Sequence, residues 1–572
     1  MLHRPHAKQR EPARALALLV GLGAVAVGLD AKAQDLGGSD SQGSEDLTET
    51  IPPSNGDVDE SVEPDTASPD APPAGAAPAT RESGPDKHIQ LTGYARQSLE
   101  LVYGELAREA RSLPEPPPVN NCPDTPCLWR DIFVSRTQLV LRASYVEERR
   151  FEATVSGMLG YALHVAAKAP QYSNDVVDLA RGELDPQLRE AYVGFFWPAV
   201  DLRIGQQRVA WGRSDFQSPN DVINARDLRD PFLSESELRY LPTPLIRSSV
   251  TVGAFSLEGI VSPLFIPDRF DVYGSNWSPF QFHSDPDYRG FLGGTTLLVD
   301  QSVEREFAQL WRQTERPLDN GKGAAAGARL IATLPGIDLS AYYHYGFDAT
   351  PYVSLHPRFL EYLHGTQFLT APATKFEPLL VLIDDLKSSN EVPFSARYLR
   401  RHHAGFDLAA PLGPIVLRLD AAYESRRVFY RVDFNGFASP TILGVAALEY
   451  QTGDLDKVLL LEFLAQHMLN QTPEYMNQQG QLVHVPLLAY DRTTSAVAGT
   501  LRWTLAESWG IDLRGLVGIH PETYSLQPAI RFKPNDSFQL RLGALILAGK
   551  QQSFGWYYGD NDTAFIQLRY AF

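Results

Sequence analysis

Near the end of the chain, hydrophobic residues fall on every second position. Ile566, Leu568, Tyr570 and Phe572 alternate with Gln567, Arg569 and Ala571, which is the period of a β-strand with one apolar face. The same rhythm sets Phe538, Leu540, Leu542, Ala544 and Ile546 against Gln539, Arg541 and Gly543, and Ile511, Leu513, Gly515, Val517 and Ile519 against Asp512, Arg514 and Gly518. In Ile415 to Tyr423 the apolar positions face away from Arg418, Asp420 and Glu424. Charge on alternate positions suits strands set between lipid and a wet lumen, but the outer faces of a soluble sandwich show it too.

Connection lengths separate the two. Tight connections are expected at Glu147 to Arg150, Trp197 to Val200, Pro335-Gly336, Pro411 to Pro414, Gln451 to Asp456, Glu507 to Gly510 and Lys533 to Asp536. Between them lie generally longer loops, 104–131, 166–186, 212–246, 264–322, 348–401 and 469–492. Short turns at one end and long loops at the other are the mark of a transmembrane barrel. Residues 89–572 are therefore expected to form an all-β, antiparallel transmembrane β-barrel of about eighteen strands, within a range of about 16–20.

Two regions precede it. Residues 1–33 read as a signal peptide: Arg4, Lys8, Arg10 and Arg14 lead into an uncharged run from Ala15 to Leu29, then Ala31-Lys32-Ala33, with cleavage expected before Gln34. That run is too short to cross about 30 Å of hydrocarbon as a helix. Residues 34–88 are rich in Ser, Pro, Ala and Gly and hold thirteen acidic residues against Arg81 and Lys87. Such a segment buries too little apolar surface to offset its ordering entropy, so a disordered acidic linker is expected. Cys122 and Cys127 flank a Pro-rich turn in a chain bound for an oxidising compartment, and a local disulfide is expected between them.

The segment from Glu190 to Asp230 carries a resemblance. Gly205, Gln207, Val209, Trp211 and Gly212 form a Gly-x-Gln-x-Val-x-Trp-Gly pattern, followed by Asp221-Val222-Ile223-Asn224. It is similar to a family of proteobacterial outer-membrane barrels of unassigned function, except that Ala225 stands where the family's usual proline would be. The resemblance implies an outer-membrane protein of a Gram-negative bacterium, moving hydrophobic compounds or lipids alongside an inner-membrane exporter of the resistance-nodulation-division type. More distantly the architecture resembles porins and alginate-export barrels. The ending Ile566, Leu568, Tyr570, Phe572 resembles the C-terminal signature of outer-membrane proteins, implying the barrel-assembly machinery and outer-membrane lipid as partners.

On physical grounds Gly205 and Gly212 suit close backbone approach, and Trp211 suits an interfacial aromatic girdle at the rim. The residues that follow pack both signs of charge into one long loop: Arg213, Asp215, Asp221, Arg226, Asp227, Arg229 and Asp230. A loop this long and charged either folds into the lumen to line a pore or forms a salt-bridged clasp at the mouth.

Other chemistry has little support. There is no Gly-x-Ser-x-Gly nucleophile motif, and adjacent His402 and His403 point to opposite faces of a strand, so neither an enzyme nor a metal or cofactor site is expected. Asp560-Asn561-Asp562 lacks the ligand spacing of a calcium loop. A net charge of −18 disfavours nucleic acid as a partner. The expected function is a porin-like channel for small solutes, with a plugged barrel serving as envelope scaffold or exporter partner as the alternative.

Overall fold

The computed structural model describes residues 87–103, 129–147, 150–168, 179–270, 276–277, 323–358, 360–361, 376–392, 394–431, 435–452, 456–476, 482–484, 487–550 and 553–572. The proposed leader, most of the linker and the Cys122/Cys127 pair lie outside the described residues.

Eighteen strands close into one antiparallel sheet. In chain order they are β1 Lys87–Val102, β2 Trp129–Glu147, β3 Phe151–Lys168, β4 Leu179–Phe196, β5 Val200–Gln207 and β6 Thr243–Val252. There follow β7 Phe255–Ser262, β8 Ala325–Leu334, β9 Ile337–Phe347, β10 Arg400–Leu412, β11 Ile415–Tyr430 and β12 Gly436–Gln451. The last six are β13 Lys457–Met468, β14 Thr493–Ala506, β15 Trp509–His520, β16 Thr523–Phe532, β17 Phe538–Gly549 and β18 Thr563–Ala571. Each strand pairs with its sequence neighbour, and β18 returns to β1 from Tyr94↔Ala571 to Val102↔Thr563. No strand is left with an open edge, as lipid requires of a spanning sheet. The sheet starts at Lys87, two residues before the expected boundary at 89, because Lys87 and His88 pair with Glu147 and Val146.

Every connection from an even to an odd strand is tight, including a hairpin at Gly253-Ala254 that the sequence pattern did not single out. Most of the others are long, with 431–435 and 521–522 as short exceptions. The loop between β9 and β10 contains a helix, Phe376–Ser388.

Alternation gives the wall two different faces. Leu461 and Phe463 are each 47% exposed, whereas Glu462 between them is 1% exposed. Leu91, Leu159, Leu448, Ile530, Leu542 and Ile566 continue this apolar outer surface around the ring. A belt of that extent is out of place in water and fits lipid. Aromatic rings gather at the tight-turn end: Phe195 packs with Phe151 at 5.5 Å and Trp197 at 6.3 Å, and Trp509 with Phe532 at 4.6 Å. Amphipathic rings favour that headgroup level. His402 sits on the outer face, bonded to the Tyr343 hydroxyl at 2.8 Å, while His403 next to it is buried on the inner face.

Candidate functional site: a loop across the lumen

The connection between β5 and β6, residues 208–242, crosses the barrel. Its leading segment is held by carboxylates on the inner faces of β10, β11 and β13. Asp420 accepts from the backbone N–H of Arg213 and of Ser214, both at 3.0 Å, and from the Ser218 hydroxyl at 2.6 Å. Glu462 accepts from the Ser214 hydroxyl at 2.9 Å and from the N–H of Asp215 at 2.8 Å and of Phe216 at 2.9 Å. The Arg213 guanidinium lies 2.9 Å from Asp407 and 3.5 Å from Asp338. Charge-assisted bonds to buried carboxylates are among the stronger hydrogen bonds a fold makes.

The trailing segment is held on the opposite side. Arg96 on β1 donates to the Leu233 carbonyl at 2.7 Å, and Gln567 on β18 donates to the same oxygen at 3.1 Å. Arg136 on β2 pairs with Asp230 at 2.9 Å, and Arg189 on β4 donates to the carbonyls of Glu237 and Tyr240, each at 2.7 Å. In a ring of eighteen strands, β1 and β18 stand half a turn from β9 and β10. A segment that bonds the inner faces of both sectors must span the interior.

Local sequence explains how the loop enters. Gly205 has φ of 136° and Gly212 has φ of 89°, both in the region open mainly to glycine. A Cβ on Gly212 would overlap the Ser218 hydroxyl, and one on Gly205 would lie 2.2 Å from the Ala191 carbonyl. Trp211 corrects the expectation of a rim girdle residue. It is 1% exposed, its indole N–H donates to Glu258 at 2.7 Å, and its ring packs on Tyr342 at 5.3 Å. The indole N–H draws it inward, because Glu258 on β7 offers a buried acceptor and the lipid face offers none. Val209 lies in the same apolar cluster, beside Leu245 and Ile260. Gln207, also buried, donates to the Leu245 carbonyl at 3.2 Å.

The seven charged residues singled out from sequence fall into three groups. Arg213 and Asp215 face β9–β13. Arg418 bridges Asp215 at 2.5 Å and also contacts Glu449. Asp221 and Arg226 lie in the middle, where the Arg226 guanidinium sits 5.9 Å over the Tyr240 ring and the backbone N–H of Arg226 donates to Asp268 at 2.7 Å. Burial pushes the Asp221 carboxyl up, against the pull of Arg226. The negative charge of Asp221, with burial, raises the Tyr240 hydroxyl to about 12. Asp227, Arg229 and Asp230 face β1–β4, with Arg229 clasped by Asp227 and Asp185, each at 2.6 Å, and by Glu183 at 3.2 Å. Among the described residues it is 208–242 that spans the lumen.

Sequence reasoning missed the wall residues that receive the loop, and their arrangement is ordered. The inner faces of β9–β13 carry Asp338, Asp407, Asp420, Glu424, Glu449 and Glu462 against Arg401, Arg418 and Arg427. Those of β14–β18 carry Arg502, Arg514, Arg531, Arg541 and Arg569 against Asp512. The lumen thus has an acidic side and a basic side. The loop is matched to both, presenting N–H groups and Arg213 to the first and Asp230 and Glu235 to the basic Arg136 and Arg96 beside the second. A cavity of about 100 Å³ remains between the trailing segment and β1–β4, bordered by Arg136, His164, Asp185, Arg229 and Trp277.

Residues 164–572, most of the barrel, match a family described as "Protein of unknown function (DUF1302)". The chain belongs to this family. A search among curated proteins finds no match. Similar solved structures include OmpF of Salmonella typhi in complex with daunomycin, at 9% identity and a TM-score of 0.35 over 85% of this chain and 98% of that one. OccK7 (OpdD) of Pseudomonas aeruginosa has 9% identity and a TM-score of 0.39 over 85% and 99%. OprB of Pseudomonas putida at low pH has 6% identity and a TM-score of 0.32 over 85% and 93%. The assignment as a closed barrel stands on the strand pairing itself.

The latch between loop and acidic wall carries a pH dependence. Burial, reinforced by Glu462 and Glu449 and opposed by Arg418, raises the Asp215 carboxyl to about 7. Unfolded, it would titrate near about 3.9. The folded state therefore keeps the proton through that window, and the latch weakens as pH rises from about 4 to about 7. Relative to its rate on an unstructured peptide at the same pH, trypsin should cut the loop faster at about pH 8 than at about pH 6, and Asp215→Asn should abolish the difference. An equal difference in the variant would assign it to other groups.

Proposed function

We propose that this barrel is a porin-like outer-membrane channel for small solutes, with residues 208–242 as its constriction. The observation that carries this reading is the division of the inner wall into an acidic sector, β9–β13, and an adjoining basic sector, β14–β18. Charges taken out of water cost several kcal/mol each unless well paired, so an inert, dry interior has little use for so many. A water-filled passage keeps them hydrated, and a narrow one makes them act on ions in transit. An interior of this kind favours solutes with charge of their own over the wholly apolar compounds that the resemblance implies.

The second reading, a non-conducting scaffold or exporter partner, draws support from how firmly the loop is held on both walls. Recording purified protein in planar bilayers decides between them. Stepwise conductance is the expected result. Heat-modifiable barrels that insert without current steps would favour the scaffold, and crosslinking to an inner-membrane exporter would then be the next measurement.

A further inference from the structure

The middle of the crossing loop holds three arginines that the latches on either wall do not use. The loop leaves the wall part-way along the barrel, because β5 has 8 residues where β4 beside it has 18. Arg208 is the first residue of that departure. The chain then folds back on itself through a short antiparallel pairing of Ala225 with Leu241 and Arg226 with Tyr240. Directly opposed residues in such a pair share a face. The Arg226 guanidinium accordingly lies 5.9 Å from the centre of the Tyr240 ring, and that of Arg208 lies 5.2 Å from it. Arg239 adjoins the ring in sequence and is held by its backbone carbonyl, which accepts from the N–H of Asp227 at 2.6 Å.

Elsewhere on this loop Arg213 and Arg229 are each fixed by carboxylates. Arg208, Arg226 and Arg239 make no salt bridge among the described residues. Asp221, the acid that acts on both Arg226 and Arg208, is itself bonded to the Tyr240 hydroxyl. Of all the guanidinium N–H groups of the three, only an Nη of Arg239 donates to a described residue, the Pro231 carbonyl at 3.3 Å. The Arg239 Nε–H is buried without an acceptor, whereas no nitrogen of Arg208 or Arg226 is, so those two tips are open to the lumen. The like charges of Arg226 and Arg208 also bear on Arg239. Cations gathered in this way repel one another, and a cluster that served only to hold the loop would be closed by acids, as Arg213 and Arg229 are. We propose that Arg208, Arg226 and Arg239 form a binding subsite in the constriction for an oxyanion group, a carboxylate or a phosphate, on a solute. Guanidinium forks match such groups with paired donors, and the Tyr240 ring orients two of the forks beforehand. This deepens the channel reading by naming a solute class. As a step in transport it rests on that reading, but as a binding site it does not.

The test is calorimetric titration of the full-length, detergent-solubilised barrel with benzoate and, separately, with inorganic phosphate. Wild-type protein should bind at least one of them, and the ion that binds identifies the group served. Benzamide, which keeps the ring of benzoate and lacks its charge, should not bind. Arg208→Gln with Arg226→Gln should weaken anion binding by about tenfold or more, the loss of one or two charge-assisted contacts. Heat-modifiable migration shows that the variant has folded, and an unchanged chymotryptic digest shows that the loop is still in place. Arg226→Lys, which keeps the charge without the fork, should bind more tightly than Arg226→Gln, and this pair decides the matter if the double variant loosens the loop. No binding of either ion to the wild type, benzamide bound as tightly as benzoate, or equal binding by the folded variants would overturn the subsite even if the barrel conducts. Binding without conductance would leave the subsite standing and remove the channel.

Discussion

Replacing Asp420 and Glu462 together with alanine is expected to release the leading half of the crossing loop. The two carboxylates receive six bonds from Arg213, Ser214, Asp215, Phe216 and Ser218. Each bond to a charged acceptor contributes about 1.5–3 kcal/mol, and truncation also strands buried N–H groups. The loss exceeds what Arg213 recovers through Asp407, so the segment should detach while the paired wall persists. Trypsin should then cut after Arg213 in a barrel that still migrates as folded, and conductance should rise about twofold or more as the constriction opens. Asp420→Asn, which keeps one acceptor oxygen, should give a smaller change. A double variant with wild-type protease resistance and wild-type conductance would mean that the loop is held elsewhere and does not gate the lumen.

The architecture was legible because lipid imposes a strict rule on each strand. Period-two alternation in Ile566 to Phe572 and Ile415 to Tyr423, with tight turns at one end only, is a local signal that survives without knowledge of any partner strand. The hairpin at Gly253-Ala254 was not singled out, although Gly253 supplies the positive φ, 59°, that its tight turn uses.

The site was less legible. Arg213 to Asp230 could be picked out as a charged loop, but whether it lined a pore or clasped itself depended on residues hundreds of positions away. Asp420 and Glu462 look in sequence like any lumen-facing acid, and only ring closure brings them under Ser214. Trp211 shows the same limit in reverse. Its position beside a strand end is that of a girdle residue, yet Glu258, 47 positions later, supplies the buried acceptor that turns it inward. The basic sector was half visible, because Arg514, Arg541 and Arg569 were each assigned to a polar face, but the grouping of Arg502, Arg531 and Arg541 around Asp512 is a property of strand register.

Introducing arginine at Ile566 and Leu568 together is expected to abolish insertion. Both lie on the outer face of β18, with Ile566 45% and Leu568 38% exposed to what would be lipid. An arginine on the lipid face near the bilayer midplane costs about 2–4 kcal/mol, falling toward the interfaces. Two of them rival the stability of an ordinary domain, about 5–15 kcal/mol. The position sharpens the effect, because Ile566 pairs with Leu99 of β1 and Leu568 with Gln97, so the charges fall on the seam that closes the ring. Gln567→Arg provides the control: it adds a charge between the same two residues but toward the lumen, beside Arg541, and at most loosens the Leu233 contact. The folded, heat-modifiable band should therefore vanish for the outward pair and remain for the inward single change. If both proteins fold alike, the outer face of β18 is not in lipid, and the transmembrane reading of the barrel fails with it.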